Sequence, residues 1–368
     1  MRMMAHRPVV IAAGGTGGHF YPAEALAAEL LRRGECVVLL TDARSGGLAS
    51  PVFAQTERYV ISGAGLSGRG LKRATQGAFA LARGVVEARR ILRALRPAAL
   101  VAFGGYPAVP PVLAAASLFG ARPRVILHEQ NAVLGRANRF LARRADVLAL
   151  NFANTLGVPA GVTVRVVGNP VRPAIAVLHG AGYAAPAERI ELLILGGSLG
   201  AKLFGTLLPE ALAALPETLR ARLNVTQQCR KEELEQARRT FAAAGIAAEL
   251  APFFTDVAAL LAKAHLVVSR AGASSVAEIA AVGRPAIFIP LPGAIDDHQR
   301  ANADALGATG AARRVDQAGL TPAILAEQIE SLLMDSANLT NMARAATAAG
   351  RVDAAAKLAD MVLEGVPA

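Results

Sequence analysis

Three stretches, two of them glycine-rich, each follow a short apolar run and open onto a helical pattern, the setting in which a chain can hold anionic groups. The first is Gly14-Gly15-Thr16-Gly17-Gly18-His19. Its glycines let backbone approach a ligand closely, and the next helix offers N–H groups and a partial positive charge. His19 adds a group able to act as base or hydrogen-bond donor near neutral pH. The dinucleotide pattern G-x-G-x-x-G is not met, because Gly15 and Gly17 fit but Phe20 stands at the third place. An ordinary tight turn is the plainer alternative. The second stretch, Gly196-Gly197-Ser198-Leu199-Gly200-Ala201, repeats the arrangement, and the Ser198 hydroxyl with neighbouring amides suits a diphosphate. The third, Ser269-Arg270-Ala271-Gly272-Ala273-Ser274-Ser275-Val276-Ala277-Glu278, presents the amides of Ala273, Ser274 and Ser275 at a helix start. Glu278 there could accept hydrogen bonds from ribose hydroxyls. Ser275 to Glu278 also reads as a capping box, in which Glu278 would only complete the helix start.

Asp296-Asp297-His298-Gln299 could hold a metal, but the spacing matches no standard site and no D-x-D occurs in the chain. Polar contacts to a sugar, or a solvated helix start, fit better. The segment Leu71–Arg96 has a different character. Leu81, Val85, Ala88, Leu92 and Leu95 recur at helical spacing as a core face, while Arg89, Arg93 and Arg96 line an adjoining side and Lys72 and Arg73 lie upstream. Residues 1–171 carry 21 Lys/Arg against 8 Asp/Glu, and the remainder 18 against 20, so the first half is at +13 and the rest at −2 of the net +11. Such a half meets something anionic. With no tryptophan and no nucleic-acid-binding signature, an anionic membrane surface is the better expectation, and nucleic acid is not expected. A solvated helix face is the plainer meaning.

The elements that must position these residues follow an α/β rhythm. Val9–Ala13, Val37–Leu40, Ala99–Phe103, Arg124–His128 and Val147–Leu150 read as buried parallel strands, with helices over Ala23–Arg33, Arg83–Leu95 and Val112–Phe119. The rhythm restarts with strands Ile190–Leu195, Leu223–Gln227, Leu266–Ser269 and Ala286–Ile289. Pro22 is expected to set the first helix start, and Pro110 or Pro111 another. The uncharged run Ala98–Ala121 imitates a membrane span, yet Gly104-Gly105 and three prolines break it into strand, loop and helix. Nothing near the start reads as a signal peptide. Two isolated cysteines, Cys36 and Cys229, point to a reducing compartment. Gly168-Asn169-Pro170-Val171-Arg172-Pro173 reads as a hinge, giving two doubly wound α/β domains. The likeness of Val10–Gly18 to Leu192–Gly200 fits a duplication.

The order and spacing of these motifs, together with Phe103-Gly104-Gly105-Tyr106, His128-Glu129-Gln130-Asn131 and Gly168–Arg172, resemble glycosyltransferase family 28 over nearly the whole chain. In particular they resemble its bacterial UDP-N-acetylglucosamine transferases of peptidoglycan synthesis. The resemblance implies a GT-B fold: two Rossmann-like parallel-sheet domains facing across a cleft, residues 1–168 on the acceptor and membrane side and 169–351 on the donor side. The last helix, from about residue 352, would pack back on the first domain. It implies transfer of GlcNAc from UDP-GlcNAc to the 4-hydroxyl of the MurNAc of undecaprenyl-linked lipid I, with inversion, without a cofactor or required metal. The place would be the cytoplasmic face of the plasma membrane, as a peripheral enzyme beside other cell-wall synthesis proteins. By the same resemblance Ser198, Arg172 and the helix near Ser274 would hold the diphosphate, and Glu278 the ribose. Thr16, Gly17, Gly18, Asn131 and Gln299 would contact the donor sugar. His19 would be base, with Tyr106 and Glu129 nearby. Phe254 stands where the family has a smaller residue against uracil, and His298 where it has glutamine. The rivals are another GT-B enzyme (a glycolipid transferase or an epimerase), a nicotinamide dehydrogenase using Asp42, or a non-catalytic nucleotide-sugar sensor.

Overall fold

The computed structural model describes residues 7–43, 50–62, 71–118, 120, 122–197 and 202–364, except the side chains of residues 71–74. The chain divides into two compact units, Met1–Arg172 with Asp353–Ala368, and Pro173–Val352.

Unit 1 is built on seven parallel strands: β1 (Val9–Ala12), β2 (Val37–Thr41), β3 (Glu57–Val60), β4 (Ala99–Ala102), β5 (Arg124–Glu129), β6 (Val147–Leu150) and β7 (Val164–Val166). Their order is β3-β2-β1-β4-β5-β6-β7. Alternate residues feed two cores, with Val9 and Ile11 on one face and Val10 and Ala12 on the other. Such strands must be apolar throughout, which is why they are legible as unbroken runs. Unit 2 repeats the plan with β8 (Ile190–Leu195), β9 (Leu223–Gln228), β10 (Ala247–Ala251), β11 (Leu266–Ser269), β12 (Ala286–Phe288) and β13 (Ala312–Arg314). All its pairings are parallel and the order is β10-β9-β8-β11-β12-β13. Each sheet reverses direction beside its first strand, between β1 and β4 and between β8 and β11. In doubly wound sheets such a reversal opens a crevice at the strands' carboxyl ends.

The helix Ala354–Leu363 belongs to unit 1. Leu358, Met361 and Val362 join the core of Val9, Ile11 and Val101, at about 1.5–3 kcal/mol for each side chain fully buried. Arg33 pairs with Asp360 at 2.6 Å, and Arg124 and Arg165 with Glu364 at 3.2 and 2.5 Å, around its rim.

Two helix starts differ from the expectation drawn from proline. The first helix runs Gly17–Arg32, with Pro22 inside it. The helix after β4 runs Gly105–Ala116, with Pro110 and Pro111 inside it. A proline ring opposes the carbonyl four residues back, and here that carbonyl lies in the first turn, where the helix yields most readily. Positive φ at Gly15 (84°) and Gly104 (81°) turns the chain sharply just before each helix. Among the described residues no helix is long and apolar enough to cross a membrane.

Candidate functional site

In unit 1, the loops leaving β1, β4 and β5 meet on one hydrogen-bond network. Because the first helix opens at Gly17, His19 stands in its first turn and not at the end of a loop. Its Nδ1 lies 3.1 Å from Gln130 Oε1. The Gln130 amide nitrogen donates to the carbonyls of Phe103 (3.1 Å) and His128 (3.2 Å), and lies 3.0 Å from His128 Nδ1. His128 is fully buried and its Nε2 lies 2.9 Å from the Gly168 carbonyl. Burial pushes His128 down to about 4, an effect the Gly168 bond only partly opposes. Gly105 adopts φ +67°, and a Cβ there would lie 3.3 Å from His19 Nε2, so the start of Tyr106's helix presses against the imidazole.

Glu129, 2% exposed, holds the adjoining loop. One carboxylate oxygen accepts from the backbone and side-chain amides of Asn131 (both 3.0 Å), the other from Gly135 N and Asn138 Nδ2 (both 2.9 Å). Four bonds use the four acceptor sites of a carboxylate. Glu129 thus fixes Asn131 in place. Thr16 is exposed, caps the helix in extended conformation and makes no side-chain cap. At Gly17 a Cβ would come within 2.9 Å of the Tyr21 ring. The Arg172 guanidinium stacks on that ring at 5.1 Å, which places Arg172 in unit 1, on the helix that begins with Gly17, Gly18 and His19.

In unit 2 the helix after β11 spans Ala273–Val282, with Gly272 as its N-cap and no side-chain cap. Ser275 is then the third helical residue and Glu278 lies in the second turn, so the two do not form a capping box, which requires the serine at the N-cap. Ala273, Ser274 and Ser275 form the first turn, and Glu278 is buried on the same helix. Gln299 Oε1 accepts from Leu291 N at 2.9 Å and fastens the loop after β12, while His298 donates through Nδ1 to the Ile295 carbonyl at 2.8 Å. Ahead of them Asp296 and Asp297 adopt φ of 54° and 51°, a strained conformation for residues other than glycine. Asp297 pairs with Arg300 at 3.0 Å. Phe254 is half-buried between β10 and the helix Val257–Lys263. Ser198 lies outside the described residues.

The basic helix spans Leu71–Leu95, with Lys72 and Arg73 outside the described side chains. Arg89 is half-buried, Arg93 exposed, and Arg96 exposed beyond the helix end. The same helix leaves Phe79 (73%) and Val86 (50%) exposed, seven residues apart on one face.

Several positioning residues escaped the sequence reading. Buried Arg270 donates to the carbonyls of Ile289 (2.9 Å) and Pro290 (3.0 Å) and stacks on Phe204, and Asn302 donates to Ala271 O at 3.0 Å. Gln228 accepts from Gly196 N and donates to Gly197 O. Each is a polar side chain at a strand end or on a following helix, a placement that no local pattern marks.

Residues 9–149 match the glycosyltransferase family 28 N-terminal domain, and residues 191–358 its C-terminal domain. The chain is 58% identical to the UDP-N-acetylglucosamine--N-acetylmuramyl-(pentapeptide) pyrophosphoryl-undecaprenol N-acetylglucosamine transferase of Granulibacter bethesdensis, over 98% of this chain and 94% of that protein. It is also 58% identical to the transferase of the same name from Acidiphilium cryptum, over 100% and 99% of the two chains. The solved structure of Acinetobacter baumannii MurG is 33% identical, with TM-score 0.77 over 97% of this chain and 99% of that one. Two units of one strand order, each carrying a glycine loop at its reversal point, and a full-length match to such enzymes lead to one conclusion: the chain belongs to glycosyltransferase family 28, in its MurG group.

Proposed function

We propose that this protein transfers N-acetylglucosamine from UDP-N-acetylglucosamine to the 4-hydroxyl of the N-acetylmuramoyl sugar of undecaprenyl-linked lipid I, giving the β-1,4-linked disaccharide of lipid II. The full-length identity of 58% to transferases named for that donor and acceptor carries the reading. In the reaction the acceptor oxygen attacks the anomeric carbon as its bond to the diphosphate breaks, so the centre inverts and UDP leaves. The acceptor proton passes to His19. Charge grows on the diphosphate, where the first turn of Ala273–Val282, Ser198 and Arg172 stabilise it without a required metal. Glu278 takes the ribose, Phe254 the uracil face, and Thr16, Gly17, Gly18, Asn131, His298 and Gln299 the sugar. Tyr106 lies on the acceptor side, and Glu129 serves by holding Asn131.

Incubation with UDP-N-acetylglucosamine and a short-chain lipid I analogue, read by mass spectrometry, tests the reading. The expected product is the disaccharide lipid with equimolar UDP, undiminished by EDTA. Altered free sugar with no lipid product would mean an epimerase, and nucleotide-sugar binding without turnover a sensor.

The enzyme acts as a peripheral protein on the cytoplasmic face of the plasma membrane. The exposed Phe79 and Val86, beside Arg83, Arg90 and Arg93 on the same helix, support this reading. Apolar insertion and about 1 kcal/mol for each basic residue near the surface act together. Phe79→Ser with Val86→Ser should lower binding to phosphatidylglycerol vesicles about tenfold or more, with turnover of a soluble acceptor intact. Unchanged vesicle binding would sink the membrane reading.

A further inference from the structure

The polarity of the network behind His19 is set by the carbonyls at its far end. A carbonyl oxygen only accepts, so the two that face the Gln130 side-chain nitrogen, those of Phe103 and His128, fix which end of the amide is NH₂. The Gly168 carbonyl likewise requires a proton on His128 Nε2, which leaves His128 Nδ1 as a third acceptor sharing the two hydrogens of the same NH₂ group. Gln130 Oε1 then faces His19 Nδ1 at 3.1 Å and can do nothing but accept.

We propose that Gln130 is a positioning residue that sets the tautomer of His19, holding the proton on Nδ1 so that the basic lone pair resides on Nε2. The inference rests on His19 being the base. In the reaction Nε2 takes the acceptor hydroxyl proton as the new C–O bond forms and the bond to the diphosphate breaks. The resulting imidazolium keeps its Nδ1–H bond to the amide, and no proton moves further, since a neutral amide oxygen does not take one. The role resembles that of an orienting carboxylate in a catalytic triad, where the wrong tautomer leaves the geometry intact and the base useless. Here the orienting group is neutral, and its own orientation is set by main-chain carbonyls at the ends of β4 and β5 and, through His128, at Gly168.

Long-range proton–nitrogen correlation spectra of the imidazoles test this in the full-length protein, with His19 assigned through His19→Asn. The wild type should show His19 protonated at Nδ1 and unprotonated at Nε2 in its neutral form. Gln130→Met, which keeps the length but cannot accept, should move the proton toward Nε2. It should lower kcat by on the order of tenfold to a hundredfold with the KM for UDP-N-acetylglucosamine within about threefold. Gln130→Glu, kept neutral by the Phe103 and His128 carbonyls that face its second oxygen, donates to them through O–H, still accepts at Nδ1 and should restore the wild-type tautomer; it also serves if the methionine variant fails to fold. An Nε2–H tautomer in the wild type, or an unchanged His19 spectrum in Gln130→Met, overturns the inference. Normal turnover by His19→Asn would instead overturn the reading of His19 as base, and the spectra would stand apart from it.

Discussion

Units 1 and 2 have the same order through their first six strands, yet they put different chemistry at the reversal. In unit 1 His19 after β1 and Gln130 after β5 meet side chain to side chain, and Gln130 ties in the end of β4 through the Phe103 carbonyl. In unit 2 the loops after β8, β11 and β12 are tied by Gln228, Asn302 and Arg270 to main-chain groups, and what they present is the first turn of Ala273–Val282. One unit aims an imidazole and the other aims backbone amides. On the proposed roles, the proton acceptor needs a defined side chain, whereas the diphosphate is met by a row of N–H groups. A shared fold therefore fixes where a site is built but not what it does.

This contrast can be broken by separating rate from binding. His19→Ala should lower kcat by about 10²–10⁴ and leave UDP-N-acetylglucosamine binding, measured by calorimetry, within about threefold. Near-normal turnover would remove His19 as base and dissolve the distinction between the units.

Stability divides along the same line. Leu358→Ala, in the helix that completes the core of unit 1, should destabilise that unit by about 2–5 kcal/mol. Hydrogen exchange should show the loss in the amides of β1 and β4 with those of β8 and β11 unchanged; equal loss in both would mean that the units unfold together.

The buried imidazole gives unit 1 a pH dependence of its own. Burial holds His128 neutral down to about 4, against 6.5 when exposed. The unfolded chain takes up that proton first, so stability falls as pH drops from 6.5 toward 4 and levels off below. The loss across that window is about 3 kcal/mol, since each tenfold change in proton affinity is worth about 1.4 kcal/mol. Urea midpoints against pH should carry this slope, and His128→Gln should flatten it. A slope unchanged by that substitution would assign it to other groups.

The smallest effect belongs to unit 2. Glu278→Ala should raise the KM for UDP-N-acetylglucosamine about 10–100-fold, the worth of one charge-assisted hydrogen bond at about 1.5–3 kcal/mol, with kcat nearly intact. A fall in kcat at constant KM would place Glu278 in the chemistry instead.

Every interior strand is legible in the sequence, and the four that are not, β3, β7, β10 and β13, are the edges of the two sheets. Their residues are largely exposed or only half-buried, as in Glu57–Val60 and Val164–Val166, so no apolar run marks them. Proline misleads as a boundary for the two helices that contain it, because Gly15 and Gly104 make the turn six or seven residues earlier. The capping box at Ser275 fails for a related reason: local sequence allows it, but the helix begins three residues sooner, with Gly272 as its N-cap.

By itself the sequence determined the α/β class, the glycine loops at strand ends, the basic first half and the family. Each of these is written in local pattern, in continuous apolar runs, glycine spacing and motif order. Only the tertiary structure decided that Arg172 lies on Tyr21 in unit 1 and that Gln130 stands between two histidines. These depend on contacts between segments as far apart as His19 and Gln130, 111 residues, and Tyr21 and Arg172. Side-chain hydrogen bonds across such separations leave no periodicity in the chain, and it is packing that brings their partners within reach.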